Sequence, residues 1–469
     1  MIRKPRSILL IGWVFVLVYA YPGQMTIDTY DHLSEARAGI YTDSHPPVLN
    51  WIWKLTEYLI AAPFGVLLLQ TSTFLLGLYL ILRRLFEPLR AAWIATALFV
   101  LPPVMLPMTA VWKDSLMAGF MLLGTALLLE SRRSWKLLGV LAILVATATR
   151  YNAFGAAAPL VFFLFEWKPM HWLKRYALAF AVWLTLTVVA FTLNSQLTDR
   201  QMHYWHSSLA VFDIVGTLAQ VDRELPDREL EQVFEGTDLR VHTGIHARIR
   251  ELYNPRDFMP IVVSETKAMW NMPVYGQESG PEPQRDAVAR AWQHVVTTYP
   301  AEYLAYRAEV MAEVLSLTRA RPSGVVPKRE QTYTVFALSQ RVPFGFSSLQ
   351  RHMSNVMSSI WYGLPIFSPW MYVVLALILL PFTRGSRDAF GLLASGLLVE
   401  ASLFFLAPSP DYRYSHWLVV CVWIALVLIV TRRSRRVAAR RGDDPALAGV
   451  AGERPEDAGA PGRELAART

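Results

Sequence analysis

Ten mostly apolar runs, near 7–25, 59–82, 91–109, 114–131, 136–150, 153–167, 177–193, 366–383, 389–407 and 415–431, constrain this chain more than any other feature. A hydrocarbon layer of roughly 30 Å takes about 20 such residues as a helix, and backbone polar groups inside it must be paired within the segment. The chain is 54% hydrophobic and 17% charged, too apolar for a soluble enzyme of 469 residues. These runs predict an all-α polytopic membrane protein of about ten transmembrane helices. Val18-Tyr19-Ala20 would suit signal cleavage, but in a polytopic chain the first run is better read as an uncleaved anchor.

The basic residues orient the runs. Arg3-Lys4-Pro5-Arg6, Arg83-Arg84 with Arg90, Arg132-Arg133 with Lys136, Lys168 with Lys174-Arg175, Arg384 with Arg387, and Arg432-Arg433 with Arg435-Arg436 fall in alternate loops, as cytoplasmic loops do. This pattern also accounts for the formal net charge of +8, so no nucleic-acid partner is expected. The reading divides the chain into an N-terminal transmembrane module 1–193 of about seven spans, with outer loop 26–58; a mainly helical extracytoplasmic domain 194–365; a C-terminal module 366–431 of about three spans; and a disordered, basic cytoplasmic tail 432–469. It places the protein in the cell membrane as a multi-pass protein.

Every unusual polar cluster near a run end then falls on the outer face. Asp28, Asp31, Asp43 and His45 lie in the first outer loop, Lys113 and Asp114 in the second, Arg150 and Asn152 in the third, and Asp411, Arg413 and Tyr414 in the last. Lys113, Arg150 and Arg413 are exceptions to the charge bias. One reason for basic side chains at membrane depth is an anionic headgroup; ion pairs within "KD" and "DYR" are the structural alternative. His45 can cap the turn at Pro46-Pro47 or contact substrate.

These side chains suit glycosyl transfer from a lipid-phosphate sugar. A phosphate leaving group departs without a proton but needs cations in a poorly solvated site. An attacking hydroxyl needs one base, whereas a glycosidase also needs an acid for its leaving group. Asp28 and Asp31, three apart, share a helix face if a helix begins here. Either can be the base, and the pair can also hold a divalent cation such as Mg or Mn.

With "IDTYDH" and "SHPP" on the page, the stretch resembles the first outer loop of the GT-C superfamily, the integral-membrane glycosyltransferases that use polyprenyl-phosphate sugars. The likeness is to the branch of protein O-mannosyltransferases, aminoarabinose transferases and lipopolysaccharide-modifying enzymes. Asp28 matches the leading acid of the family's Asp-Glu dipeptide, and Thr29 replaces its second acid; His45-Pro46-Pro47 matches the element before the second span. "WKD" at 112–114, "TRYN" at 149–152 and "DYRY" at 411–414 are looser matches. The resemblance implies an inverting transferase with Asp28 as general base, a polyprenyl-phosphate-sugar donor, and a glycan, lipid or protein acceptor outside the cytoplasm. A lipid-linked oligosaccharide polymerase or ligase, or a flippase of anionic lipid-linked substrates, are the rival classes.

Elsewhere the signals are structural. The single cysteine, Cys421, sits in an apolar run and can form no intrachain disulfide. His242 and His246 have helical spacing but no intervening Glu, which disfavours a zinc site. In 299–317, Leu304, Ala308, Met311 and Leu315 form a stripe expected to pack on the core or the membrane surface. In 207–220, Asp213 is the only charge, on a helix expected to pack on the spans.

Overall fold

The structure, a computed structural model, describes residues 4–60, 63–262, 269–271, 279–318 and 347–441, without the side chains of 27 and 437–441. The parts of the expected outer domain at 319–346 and of the expected tail at 442–469 lie outside the described residues.

All ten apolar runs fall on helices, and the described residues contain no strand. The order begins α1 (Pro5–Ala20), α2 (Ile27–Ala38), α3 (Pro47–Glu57), α4 (Pro63–Arg83), α5 (Pro88–Val100), α6 (Pro102–Thr109) and α7 (Lys113–Leu128). It continues through α8 (Arg133–Ala148), α9 (Ala153–Leu164), α10 (Trp172–Leu197), α11 (Val211–Ala219), α12 (Asp227–Val233), α13 (Ile245–Leu252) and α14 (Met259–Val262). The last are α15 (Glu282–Thr298), α16 (Pro300–Val314), α17 (Ser348–Gly363), α18 (Pro369–Leu379), α19 (Arg387–Leu406) and α20 (His416–Arg441).

Proline opens many of these helices, because its fixed φ suits the first turn and its missing N–H would be unpaired there anyway. The same chemistry breaks the run 91–109, expected to be one span. At Pro102-Pro103 two N–H groups are lost, and α5 and α6 meet at 69°. Among the described residues four helices are long and apolar enough to cross a membrane singly, or five if that bent pair is one span. Several of the remaining apolar helices are shorter, such as the 16-residue α1, which at 1.5 Å per residue reaches about 24 Å. The protein is a multi-pass, all-helical membrane protein. On α10 the side chains of Phe180, Leu184, Val188 and Phe191 are exposed, which only a lipid environment makes favourable along a whole helix. The tail expectation needs one correction: α20 stays helical to Arg441, ten residues into 432–469, because its run of Arg and Ala favours helix rather than coil.

Among the described residues two large cores and two smaller clusters carry the packing. The main one is built by α1, α4–α10 and α17–α20. In it α4 crosses α7 closely, where a Cβ at Gly77 would lie 2.5 Å from the Leu123 backbone nitrogen; small residues at such crossings let backbones approach in a bundle that gains little from hydrophobic exclusion. A second core gathers α11, α13, α15 and α16 around Phe212, Tyr306 and Val310, joined by Leu403 and Ala407 at the end of α19. Here α16 turns a different face inward from the expected stripe. Tyr306, Arg307 and Val310 are buried, while Leu304 and Ala308 are exposed, because Arg307 is drawn in to an ion pair with Asp213 on α11.

Candidate active site

The site is assembled by locking the start of α2 onto the chain just before α7. Gln24 and Ala110 form an isolated bridge, and Val111 N donates to Gln24 O at 3.0 Å. Thr26 and Thr29 make a reciprocal cap on α2, and Thr29 also donates to Val111 O. Trp112 Nε1 donates to Thr26 Oγ1. These contacts bring Asp28, in the first turn of α2, up to Lys113, the first residue of α7.

Residues far apart in sequence complete the cluster. Arg413, just before α20, contacts Asp28 at 2.7 Å and Asp411 at 2.8 Å, and lies over the rings of Trp112 and Tyr414. Asp411 also accepts from the Arg413 backbone N–H, fixing the turn that presents the guanidinium. Arg150, following α8, pairs with Asp114 and lies over the other partner-facing aromatic, Tyr414, at 5.3 Å. Tyr414 is thus shared by two guanidinium groups, which its π face favours. Both Arg side chains are neutralised by carboxylates: Arg413 by its neighbour Asp411, as the structural alternative for "DYR" has it, and by Asp28, and Arg150 by the Asp114 that the alternative for "KD" gives to Lys113. Lys113 is not: among the described residues no carboxylate lies within salt-bridge distance of it, and its ammonium donates to His45 Nδ1 at 2.9 Å.

That contact starts a chain of side chains. An ammonium can only donate, so His45 Nδ1 is the acceptor and its proton sits on Nε2. The His45 ring packs on His32 with centroids 4.5 Å apart. His32 Nδ1 meets Asn50 Oδ1 at 2.7 Å, and Asn50 Nδ2 donates to Glu35 at 2.6 Å. Since the Asn50 amide nitrogen faces Glu35, its oxygen accepts from His32. Glu35 in turn takes the Thr42 hydroxyl at 2.7 Å. Burial pushes both imidazoles well below their ordinary range, so neither adds charge beside Lys113.

The two candidate bases differ sharply. Burial, the largest single influence, would raise the Asp28 carboxyl, but the Arg413 guanidinium together with His45 and Lys113 outweighs it and holds Asp28 well below the usual carboxylate range. Asp31, one turn on, has no hydrogen-bond or ion-pair partner among the described residues. Burial, with Asp28 and Glu35 nearby, pushes it up to about 6.

Of the residues singled out in the sequence, the structure gathers Asp28, Lys113, Asp114, Arg150, Asp411, Arg413 and Tyr414, with His45 beneath Lys113 and Asp31 at the edge. It does not bring Asp43 and Asn152 into these contacts. Asp43 accepts the Met202 N–H at 2.5 Å and, through its carbonyl, the Tyr151 hydroxyl, so it fastens the first outer loop to the chain after α10. Asn152 donates to Ser402 on α19 at 3.1 Å. His32, Glu35 and Asn50 escaped the sequence reading, as did Glu400, buried within α19 and accepting from Ser415 at 3.0 Å. The signal for His32 and Glu35 was the spacing 28, 31/32, 35, one face of a helix whose Thr26-x-x-Thr29 start is visible. Among the described residues no group of three or more His, Cys, Asp or Glu side chains is arranged to hold a metal ion. His246 is committed to Leu225 N and Leu218 O, a packing role.

No protein-family model matches the chain, and no curated protein sequence matches it. Among solved structures it is similar to ArnT from Cupriavidus metallidurans bound to undecaprenyl phosphate, with 15% sequence identity and a TM-score of 0.33, over 93% of this chain and 78% of that one.

Proposed function

We propose that the protein is an integral-membrane glycosyltransferase of the GT-C type, moving a sugar from a polyprenyl-phosphate donor to a glycan, lipid or protein acceptor on the extracytoplasmic face. The observation that carries this reading is Lys113: a cation at the end of a membrane helix, without a carboxylate partner among the described residues, in the same cluster as Arg150 and Arg413. Holding an unneutralised ammonium in so buried a place is costly unless an anion arrives.

In the reaction the acceptor oxygen forms a bond to the anomeric carbon as the bond from that carbon to the phosphate oxygen breaks. The electron pair leaves with the phosphate, whose growing charge Lys113 meets first. Arg413 and Arg150 complete the cradle when the phosphate competes with Asp28 and Asp114 for them. The acceptor proton goes to a carboxylate. Two observations favour Asp31 over Asp28 for that role: Asp31 is unpaired among the described residues, and its proton affinity, raised to about 6, lies close to working pH. Asp28, held by Arg413, then serves to place the guanidinium. The attack from the face opposite the leaving phosphate inverts the anomeric centre.

The test is binding of a synthetic polyprenyl-phosphate sugar to the purified protein. Saturable binding that Lys113→Met weakens by roughly 10²-fold is the expected result for a charge-assisted contact in a poorly solvated site. Absence of binding to the wild-type protein would overturn the reading.

A further inference from the structure

At the opposite end of the bundle from the cluster, the turn between α18 and α19 faces the last turns of α20 across a cleft of about 370 Å³. Four arginines line it. Arg432 is already satisfied, paired with Asp388 at 2.5 and 2.6 Å and bound to Ser386. Arg384, Arg433 and Arg436 have no ion pair among the described residues. Arg433 lies over the Phe382 ring, 4.1 Å from its centroid, which holds its guanidinium plane against the cleft wall. Gly385, at φ +78°, lets Arg436 lie against the turn, since a Cβ there would sit 3.1 Å from Arg436 Nη2. All three are exposed side chains that line the same cleft.

The cleft also has an apolar wall of Pro381, Phe382 and Ile429. Directly along the helices from it, Ile378 and Val430 are more than half exposed, as lipid-facing side chains are. A ligand fitting both parts has an anionic head and apolar chains. We propose that this cleft binds the headgroup phosphodiester of an anionic phospholipid from the bilayer itself, a site separate from the proposed donor site. The guanidinium groups supply forked, charge-assisted hydrogen bonds, and the acyl chains follow α18 and α20.

The experiment titrates fluorescent phosphatidylglycerol into protein held in phosphatidylcholine nanodiscs. Each basic residue beside an anionic headgroup contributes roughly a factor of five, so R384Q/R433Q/R436Q is expected to bind about 100-fold more weakly. A control double variant, R83Q/R90Q, removes two arginines from a neighbouring basic cleft at the same end and should leave the affinity unchanged. Equal loss in the control, or undiminished binding by the triple variant, would show that general charge and not this cleft attracts the lipid, overturning the proposal. Inorganic phosphate that displaces the lipid at comparable concentration would also overturn it, by making the site one for free phosphate. If the triple variant fails to fold, R436Q alone decides: a roughly fivefold loss supports the cleft and no loss refutes it.

Discussion

Two of the Arg–Asp arrangements among the described residues, Arg307 with Asp213 and Arg413 with Asp28, are built on opposite principles. Arg307 and Asp213, with side chains 0% and 4% exposed, are closed on themselves: Trp292 donates to Asp213 at 2.8 Å, Arg307 donates to Ala407 O, and Tyr306 stacks below the guanidinium. Arg413 and Asp28 are 11% and 30% exposed, and beside them stand a cation and a carboxylate left over, Lys113 and Asp31. A buried ion pair is therefore no mark of a site by itself. What distinguishes the second arrangement is charge without a partner, which costs stability and has value only when a ligand supplies the missing half.

The largest effect that would sharpen this contrast falls on the closed pair. Arg307→Met strands Asp213 in the second core, at a cost of about 3–5 kcal/mol. The unfolding midpoint in neutral nanodiscs should drop by many degrees, while Arg307→Met/Asp213→Leu recovers most of the loss because no charge remains to be compensated. An unchanged midpoint in the single variant would mean that the pair is not closed as described.

Next in size are the open residues, where activity and stability should part company. Lys113→Met is expected to lower transfer from a lipid-phosphate sugar by about 10²–10³-fold, the range for losing one group that meets developing charge, while the midpoint holds or rises because a buried charge is removed. Asp31→Asn should lower it by about 10²-fold. For the wild type the rate should fall as pH drops through about 6, where Asp31 takes up its proton, and the Asn variant should lack that limb. The linkage runs the other way for stability. A carboxyl raised in the folded state favours folding at acid pH, and that advantage is lost as pH rises through about 6, so Asp31→Asn should raise the midpoint at pH 8 more than at pH 5. A midpoint gain that is the same at both values would remove the buried charge from the explanation. If Asp28→Asn proved inactive and Asp31→Asn active, the base would be Asp28, released from Arg413 by the donor.

How far the sequence could foresee this depends on the range of the interaction. Helix positions follow from local periodicity and proline, so all ten apolar runs were visible; the break at Pro102-Pro103 was legible too, had the missing N–H groups been weighed against the length of the run. The cluster was legible because alternating loop charges put these loops at a common end of the bundle, and that brought Asp28, Lys113, Arg150 and Arg413 together on paper. Pairing was not legible. That Arg413 takes Asp28 as well as its neighbour Asp411, leaving Asp31 free, depends on a contact 385 residues apart in sequence. For α16, hydropathy left its Leu304 stripe either on the core or on the membrane surface; the structure leaves Leu304 exposed, and one long-range ion pair turns Arg307 inward.

The smallest expected effect concerns Asp43, which sequence proximity to His45 had put among the substrate contacts. Its carboxylate accepts the Met202 N–H at 2.5 Å, so it resembles the closed pair in having a partner and the open cluster only in being near it. Asp43→Asn keeps an acceptor oxygen and loses the charge-assisted part of one hydrogen bond, about 1 kcal/mol. The midpoint should fall slightly, and transfer per folded molecule should stay within about twofold, because the His45–Lys113 contact two residues on has its own anchors in His32 and Asn50. The measurement pairs thermal unfolding with transfer from a synthetic lipid-phosphate sugar. Should Asp43→Asn match Asp31→Asn in lost transfer while its midpoint stays put, a carboxylate that already holds a backbone partner would be acting on substrate, and freedom from partners would no longer separate the reactive acids from the structural ones.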